Sequence, residues 1–269
     1  IPFSILNFEN SSNIKTWAIE LFRTYPRDNR LRISNIPLDK NNDCWVCQMK
    51  EVSGFKEAEM GQNLTLTPSL VFNQVDNRNL YAENADWSGE SDTDAGVNLR
   101  WGINSSHLLN ATINPDFSTV EVDAGQLSIN NNFSLYYDEK RPFFLDNADY
   151  FNVSNNIIYT RNIADPDYGA KFTGREGNHS YGVFITNDTK TNIHVPGNNN
   201  SNIATINEKS QNTALKYRYD VNKDLSFAFV STYRSADDYH NLVTGIDGKF
   251  RMTDSDTITG QIISTDTQY

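Results

Sequence analysis

The sequence predicts an all-β protein of consecutive antiparallel strands, and an up-and-down membrane-type β-barrel accounts best for three of its features. Almost nothing has the helical period of 3.6, whereas apolar and polar residues alternate at period two from about residue 61 onward. The alternating runs at residues 225–234 and 241–252 exceed the roughly 5–6 residues of an ordinary strand. They match the roughly 9–11 of one that crosses a membrane. One face of these runs carries Leu, Phe, Ile and Tyr, and the other Lys, Arg, Asp, Asn and Thr, as lipid-facing and lumen-facing positions would. A soluble β-sandwich gives the same alternation, and period alone leaves it open.

Taken in order, residues 1–60 differ from the rest. Residues 15–24 read as one strand, followed by Pro/Arg/Asp-rich residues 25–41 and the pair Cys44 and Cys47, and a domain boundary falls near Gly61. Beyond it, residues 63–72, 95–103, 108–114, 168–173 and 180–187 are strand candidates, with a tight turn at 174–177. Leu215, Tyr217 and Tyr219 share one face against Lys216 and Arg218. A turn at 220–224 leads to Leu225, Phe227 and Phe229, and after polar residues 235–240 come Leu242, Ile246 and Phe250. A turn at 253–256 precedes Ile258 and Ile262. Tyr217, Tyr219 and Tyr233, near strand ends, suit an interfacial aromatic girdle.

Composition narrows the partners. Thirty-four acidic residues against 23 basic ones give a net charge of −11, so no basic face is available for phosphate and nucleic acid is excluded as a partner. No apolar run approaches the roughly 20 residues of a membrane helix; a barrel is untouched by that test. Beginning at Ile1 without a charged and then apolar leader, the chain reads as a processed or partial piece. Cys44 and Cys47 are its only cysteines. With no His at 48 for haem attachment and no second pair for zinc, a short-loop disulfide is preferred over two free thiols.

The densest chemistry lies in residues 114–151, NPDFSTVEVDAGQLSINNNFSLYYDEKRPFFLDNADYF. Glu121, Asp123 and Glu139 are the candidates for a glycosidase acid pair, which needs two carboxylates about 5–9.5 Å apart. The competing reading is structural. Asp116, Glu121 and Asp123 with Lys140 and Arg141 form a polar network inside a lumen, the cations neutralising carboxylates that burial would otherwise leave unpaired. Asp92 with Asp94, and Asp165 with Asp167, lack the spacing of a calcium loop and read as turn chemistry. The four His residues have no i, i+4 pair, so no metal site is expected, and no cofactor-binding motif occurs.

Three further stretches carry a resemblance. Residues 16–27, TWAIELFRTYPR, look like the closing strand of a family-9-like carbohydrate-binding β-sandwich. Residues 114–123, 139–145 (EKRPFFL) and 159–171 (YTRNIADPDYGAK) resemble the uncharacterised bacterial barrel family that commonly follows such a domain. The resemblance implies the end of a sandwich plus linker over residues 1–60 and the first portion of an outer-membrane-type barrel over 61–269. It also implies a Gram-negative outer-membrane location, with outer-membrane lipid, carbohydrate and other envelope proteins as partners. The function it implies is carbohydrate binding or passage of surface material; a xylanase-like glycoside hydrolase is the alternative.

Overall fold

A computed structural model describes residues 3, 6, 8, 15–25, 31–39, 45–56, 58, 61, 63–79, 81, 86–117, 137–155, 157–196, 201–206, 208–253 and 255–268. Within residues 191–196 and 201–206 the description is of the backbone alone. Short strands come first: β1 (Thr16–Ile19), β2 (Phe22–Tyr25), β3 (Leu31–Ser34) and β4 (Lys50–Ser53). β1 pairs with β4 and β2 with β3, both antiparallel. The single strand expected over 15–24 is therefore two. The chain changes partner at Glu20 and Leu21, where Asn35 and Leu21 exchange two hydrogen bonds of 2.9 and 3.0 Å and the Glu20 carboxylate accepts from Arg32 and Ser34.

The rest is dominated by one nine-stranded sheet: β5 (Leu64–Asn77), β6 (Ser88–Asn104), β7 (His107–Ile113), β8 (Pro166–Glu176), β9 (His179–Asp188), β12 (Ser210–Asp220), β13 (Leu225–Ala236), β14 (Tyr239–Arg251) and β15 (Thr257–Gln268). Every neighbouring pair is antiparallel, and β5 and β15 are its two edges, so the sheet is open. A separate hairpin of β10 (Thr191–Pro196) and β11 (Ser201–Ile206) joins β9 to β12. Connections differ between the two ends of the sheet. At one end they are the turns 105–106, 177–178, 221–224 and 252–256; at the other they are 78–87, 114–165, 189–209 and the two-residue turn 237–238.

Two sequence expectations change here. Residues 235–240 are mostly strand, since pairing continues to Ala236 opposite Tyr239. Asp92 and Asp94 are not in a turn: they lie on β6, opposite Asn73 and Val71, and share a face. In both places the strands run past their apolar stretch, where strand composition becomes that of a loop.

The pleat sends alternate residues to opposite faces, and the two faces have different company. Part of the 114–165 connection lies across one face: α1 (Pro142–Leu145), with Pro at its start, followed by 3-10 turns at Ala148–Phe151 and Thr160–Asn162. We call this the covered face. Lys171, Thr186, Asp188, Asn212, Val230 and Asp247 are among the buried side chains there. Its apolar content includes a small aromatic cluster in which Phe143, Phe144 and Phe151 of the connection pack with Phe184 of β9 and Ala214 of β12. Phe151 meets Phe184 edge-on with ring centroids 5.3 Å apart, and Phe143 meets Phe144 likewise at 5.0 Å.

The open face is apolar and bare. A row in continuous register, Tyr181–Tyr217–Phe229–Ile246–Ile262, crosses five strands, with Ile246 60% and Ile262 79% exposed. Leu64, Leu66, Leu70 and Phe72 of β5 continue the face at the far edge. Its charged residues, Asp76, Glu176 and Asp266, stand within the last three positions of their strands.

Glycine makes room for the covering segment. A Cβ on Gly182 would stand 2.9 Å from the Phe151 ring, and one on Gly169 would stand 3.0 Å from both Phe143 and Thr186. Gly260, on the open face, has nothing within 4 Å of the same added atom. Gly182→Val is therefore expected to destabilise the protein by about 1–3 kcal/mol through overpacking, while Gly260→Val leaves its thermal midpoint unchanged or raised. Thermal unfolding of the two variants checks the contrast.

Candidate functional site

The polar side chains of the covered face converge on the covering segment. Arg141, 5% exposed, is the centre of a clamp. Its Nε and Nη2 donate to Glu139 Oε1 and Oε2 at 2.8 and 2.7 Å, a bidentate pair, and Nη1 and Nη2 donate to the carbonyls of Ile163 and Thr160 at 2.5 and 2.8 Å. The guanidinium also lies 4.4 Å from the Phe144 ring centroid. Thr160 Oγ1 donates to Glu139 Oε2 at 2.7 Å, and the backbone N–H groups of Lys140 and Arg141 donate to Oε1. One ion pair thus joins residues 139–141 to 160–163, so the segment enters and leaves at one place. Arg suits the position because a rigid fork of donors can serve a carboxylate and two carbonyls together.

A second set of contacts ties the segment to the sheet. Lys171 of β8 donates to the carbonyls of Phe143, Phe144 and Asp146, and so caps the carbonyl end of α1 with a positive charge. Lys216 of β12 donates to the Asn152 carbonyl. Asn147 reaches Thr173 at 2.8 Å, and Asn155 donates twice to Gln261 of β15. Arg100 Nε and Asn110 Nδ2 both donate to Asp146 Oδ2, at 2.7 and 3.0 Å.

Beside this last trio, between β5–β7 and the segment, is a cavity of about 480 Å3 that Asp116, Phe117 and Phe143 help to line. Of the residues expected at the site, the structure thus brings Glu139 and Arg141 together and puts Asp116 on this cavity wall. Lys140 enters the clamp through its backbone N–H. Glu121 and Asp123 lie outside the described residues, as does Cys44. Cys47 is disulfide-bonded. Among the described residues no group of three or more His, Cys, Asp and Glu is placed to hold a metal ion.

The electrostatics suit a fastening. Burial pushes the Glu139 carboxyl up, but hydrogen bonds from Arg141 and Thr160 and the Arg141 charge more than offset it, so its pKa lies below the ordinary value. Asp146 is likewise raised by burial and brought lower overall by Asn110, Arg100 and Lys171. A glycosidase acid needs the opposite, a carboxyl whose proton is retained near neutral pH. Glu139 has both oxygens engaged and its charge neutralised.

Sequence reasoning missed Arg100, Asn110, Asp146, Lys171 and Lys216. The signal was present for four of them, which are polar residues at the middle of otherwise alternating strands. Asp146 lies in a connection and had none.

These features define a class: an open, antiparallel β-meander whose polar face is occupied by a segment of its own chain. Residues 75–179, less than half of the chain, match a family model described as a domain of unknown function (DUF5916). That stretch runs from the end of β5 to the start of β9 and includes the whole 114–165 connection. No curated protein sequence and no solved structure gives a significant match.

Two outcomes are expected. Glu139→Gln leaves the buried Arg141 without its counter-charge and costs roughly 3–5 kcal/mol, seen as faster proteolysis and hydrogen exchange within residues 137–163. For pH, both carboxyls have folded pKa values below their unfolded ones. Their stabilising contribution is full above the unfolded values near 4 and is lost as pH falls through the lower folded values. Exchange protection of residues 137–163 should hold at about pH 6 and fall by about pH 3, the Glu139→Gln protein changing less over that range.

Proposed function

We propose that the chain is part of a bacterial outer-membrane β-barrel, its open face in lipid and its covered face turned to a lumen that the 137–163 segment occupies. The whole protein, on this reading, binds carbohydrate or passes it and other surface material, alongside other envelope proteins.

The observation that carries the reading is the inverted polarity of the sheet. A soluble sheet with one face covered buries its apolar residues there and shows polar ones to water. Here Lys171, Lys216 and Asp247 are buried on the covered face while Phe229, Ile246 and Ile262 are bare on the other. Apolar patches larger than a few hundred Å2 mark an interaction or a membrane surface. The open face is apolar along Leu225, Phe227, Phe229 and Tyr233 of β13, about 27 Å of strand at roughly 3.4 Å per residue. A membrane barrel has an apolar band about 25 Å tall.

Connectivity gives further support. Sequential antiparallel pairing with mostly short turns at one end and mostly long connections at the other is the habit of such barrels, the short turns facing the periplasm. β5 begins at the short-turn end, and on this reading residues 1–60, expected to be periplasmic or surface-exposed, are periplasmic. The carbohydrate association rests on the resemblance of residues 16–27 and is the less constrained half of the proposal.

Ile246→Arg separates lipid from water. At a lipid-facing position near mid-strand it costs about 2–4 kcal/mol; at a water-exposed position the same change stays within about 0.5 kcal/mol. Thr265→Arg, on the covered face of β15, is the control. Recovery of the full chain from the soluble fraction without detergent, with Ile246→Arg as stable as the parent, would sink the proposal.

A further inference from the structure

We infer that the cavity between β5–β7 and the covering segment is a binding site for a small, non-anionic, polyhydroxylated ligand of about monosaccharide size. This rests on the reading of the covered face as a lumen that solutes enter, and deepens it by assigning a place and a ligand class.

At about 480 Å3 the cavity falls in the range of small-molecule sites. Its walls divide by chemistry. Phe117 and Phe143 supply apolar surface, while Thr65, Thr67 and Ser69, alternate residues of β5, supply a ladder of hydroxyls. Successive rungs of such a ladder are about 6.8 Å apart, and each can donate or accept.

Asn110 is a fixed part of the wall. It is 6% exposed, and its Nδ2 is committed to Asp146 Oδ2. The opposite atom, Oδ1, is buried with no hydrogen-bond partner and is itself closed off from the cavity, so the contacts to a ligand fall to the groups around it. Asn98 adds a complementary group: its oxygen already accepts from Thr112 at 2.6 Å, which leaves its NH2 to donate.

Charge complementarity then selects the ligand class. The lining holds one cation, Arg100, against two carboxylates, Asp116 and Asp146; Arg100 Nε donates to Asp146 at 2.7 Å, and Asp116 leaves the wall with a net negative charge. No excess positive charge is present to favour a phosphate, sulfate or carboxylate. Uncommitted amide and hydroxyl groups facing an aromatic wall suit a ligand that offers several O–H groups on one side and C–H surface on the other.

The test uses the full chain in detergent micelles, with D-glucose and D-xylose as probes in saturation-transfer NMR. Transfer to the ring protons of at least one sugar is expected. Asn98→Ala should weaken that binding about tenfold or more, the equivalent of one lost hydrogen bond. Thr67→Val, on the exposed wall and close in shape, should weaken it as well, and its unchanged thermal midpoint guards against misfolding as the cause. Thr232→Val, which faces a different cavity, should leave it unaltered. Absence of transfer to both sugars, or transfer that survives unchanged in both cavity variants, overturns the assignment. Either result with the Ile246→Arg penalty intact leaves the barrel reading standing. Sugar binding by a protein that needs no detergent removes the barrel and keeps the site.

Discussion

Lys171 is 2% exposed and stands at the middle of a sheet, where a lone ammonium would be prohibitively desolvated. It is tolerable because three carbonyls of the covering segment accept from it. The dependence runs both ways. A four-residue helix such as α1 has no stability of its own, and its carbonyl end needs a donor from outside. The lysine and the segment therefore solve each other's problem, and the aromatic cluster of Phe143, Phe144, Phe151 and Phe184 forms around that union. The Arg141–Glu139 clamp then closes the segment upon itself, and the cavity wall on the β5–β7 side follows from where Asp146 is held.

That arrangement explains how one face of the sheet carries buried lysines at its centre. The polar groups of β8, β12 and β15 have partners supplied by the chain itself: Lys171, Thr173, Lys216 and Gln261 all contact residues 143–155. An apolar filling would not have served, since the strands offer it few apolar residues to meet. The hydrophobic effect acts in the covered region over the small aromatic cluster and a few aliphatic side chains such as Leu108 and Val230. Much of the sheet's apolar surface lies on the other side, where no described segment covers it.

Much of the strand layout was legible, because alternation survives wherever an apolar stretch crosses the sheet. Residues 225–234 lie within β13 and residues 108–113 within β7. Two of the errors share a physical origin. Residues 88–94 and most of 235–240 are strand without being apolar, so neither period nor composition distinguishes them from connections. The site was less legible. The Glu139–Arg141 pairing is local and its charges could be seen side by side, but the carbonyls of Thr160 and Ile163 that complete it carry no side-chain signature. The lysines were readable as polar-face residues, whereas their partners are backbone oxygens set by tertiary packing. Asn110 looked like any other alternating polar position, because an orphaned acceptor is a property of surroundings.

The contacts of the covering segment also have an order written into chain separation. Its bonds to β7, β8 and the clamp join residues 19 to 36 apart, and bringing such neighbours together costs little loop entropy. The Asn155–Gln261 bonds span 106 residues, and contacts of that range form late. The segment can thus settle on the first strands of the sheet while the last are still unpaired. The growing sheet is then shaped around an occupant already in place, and Gln261 is the point at which the fifteenth strand registers against it.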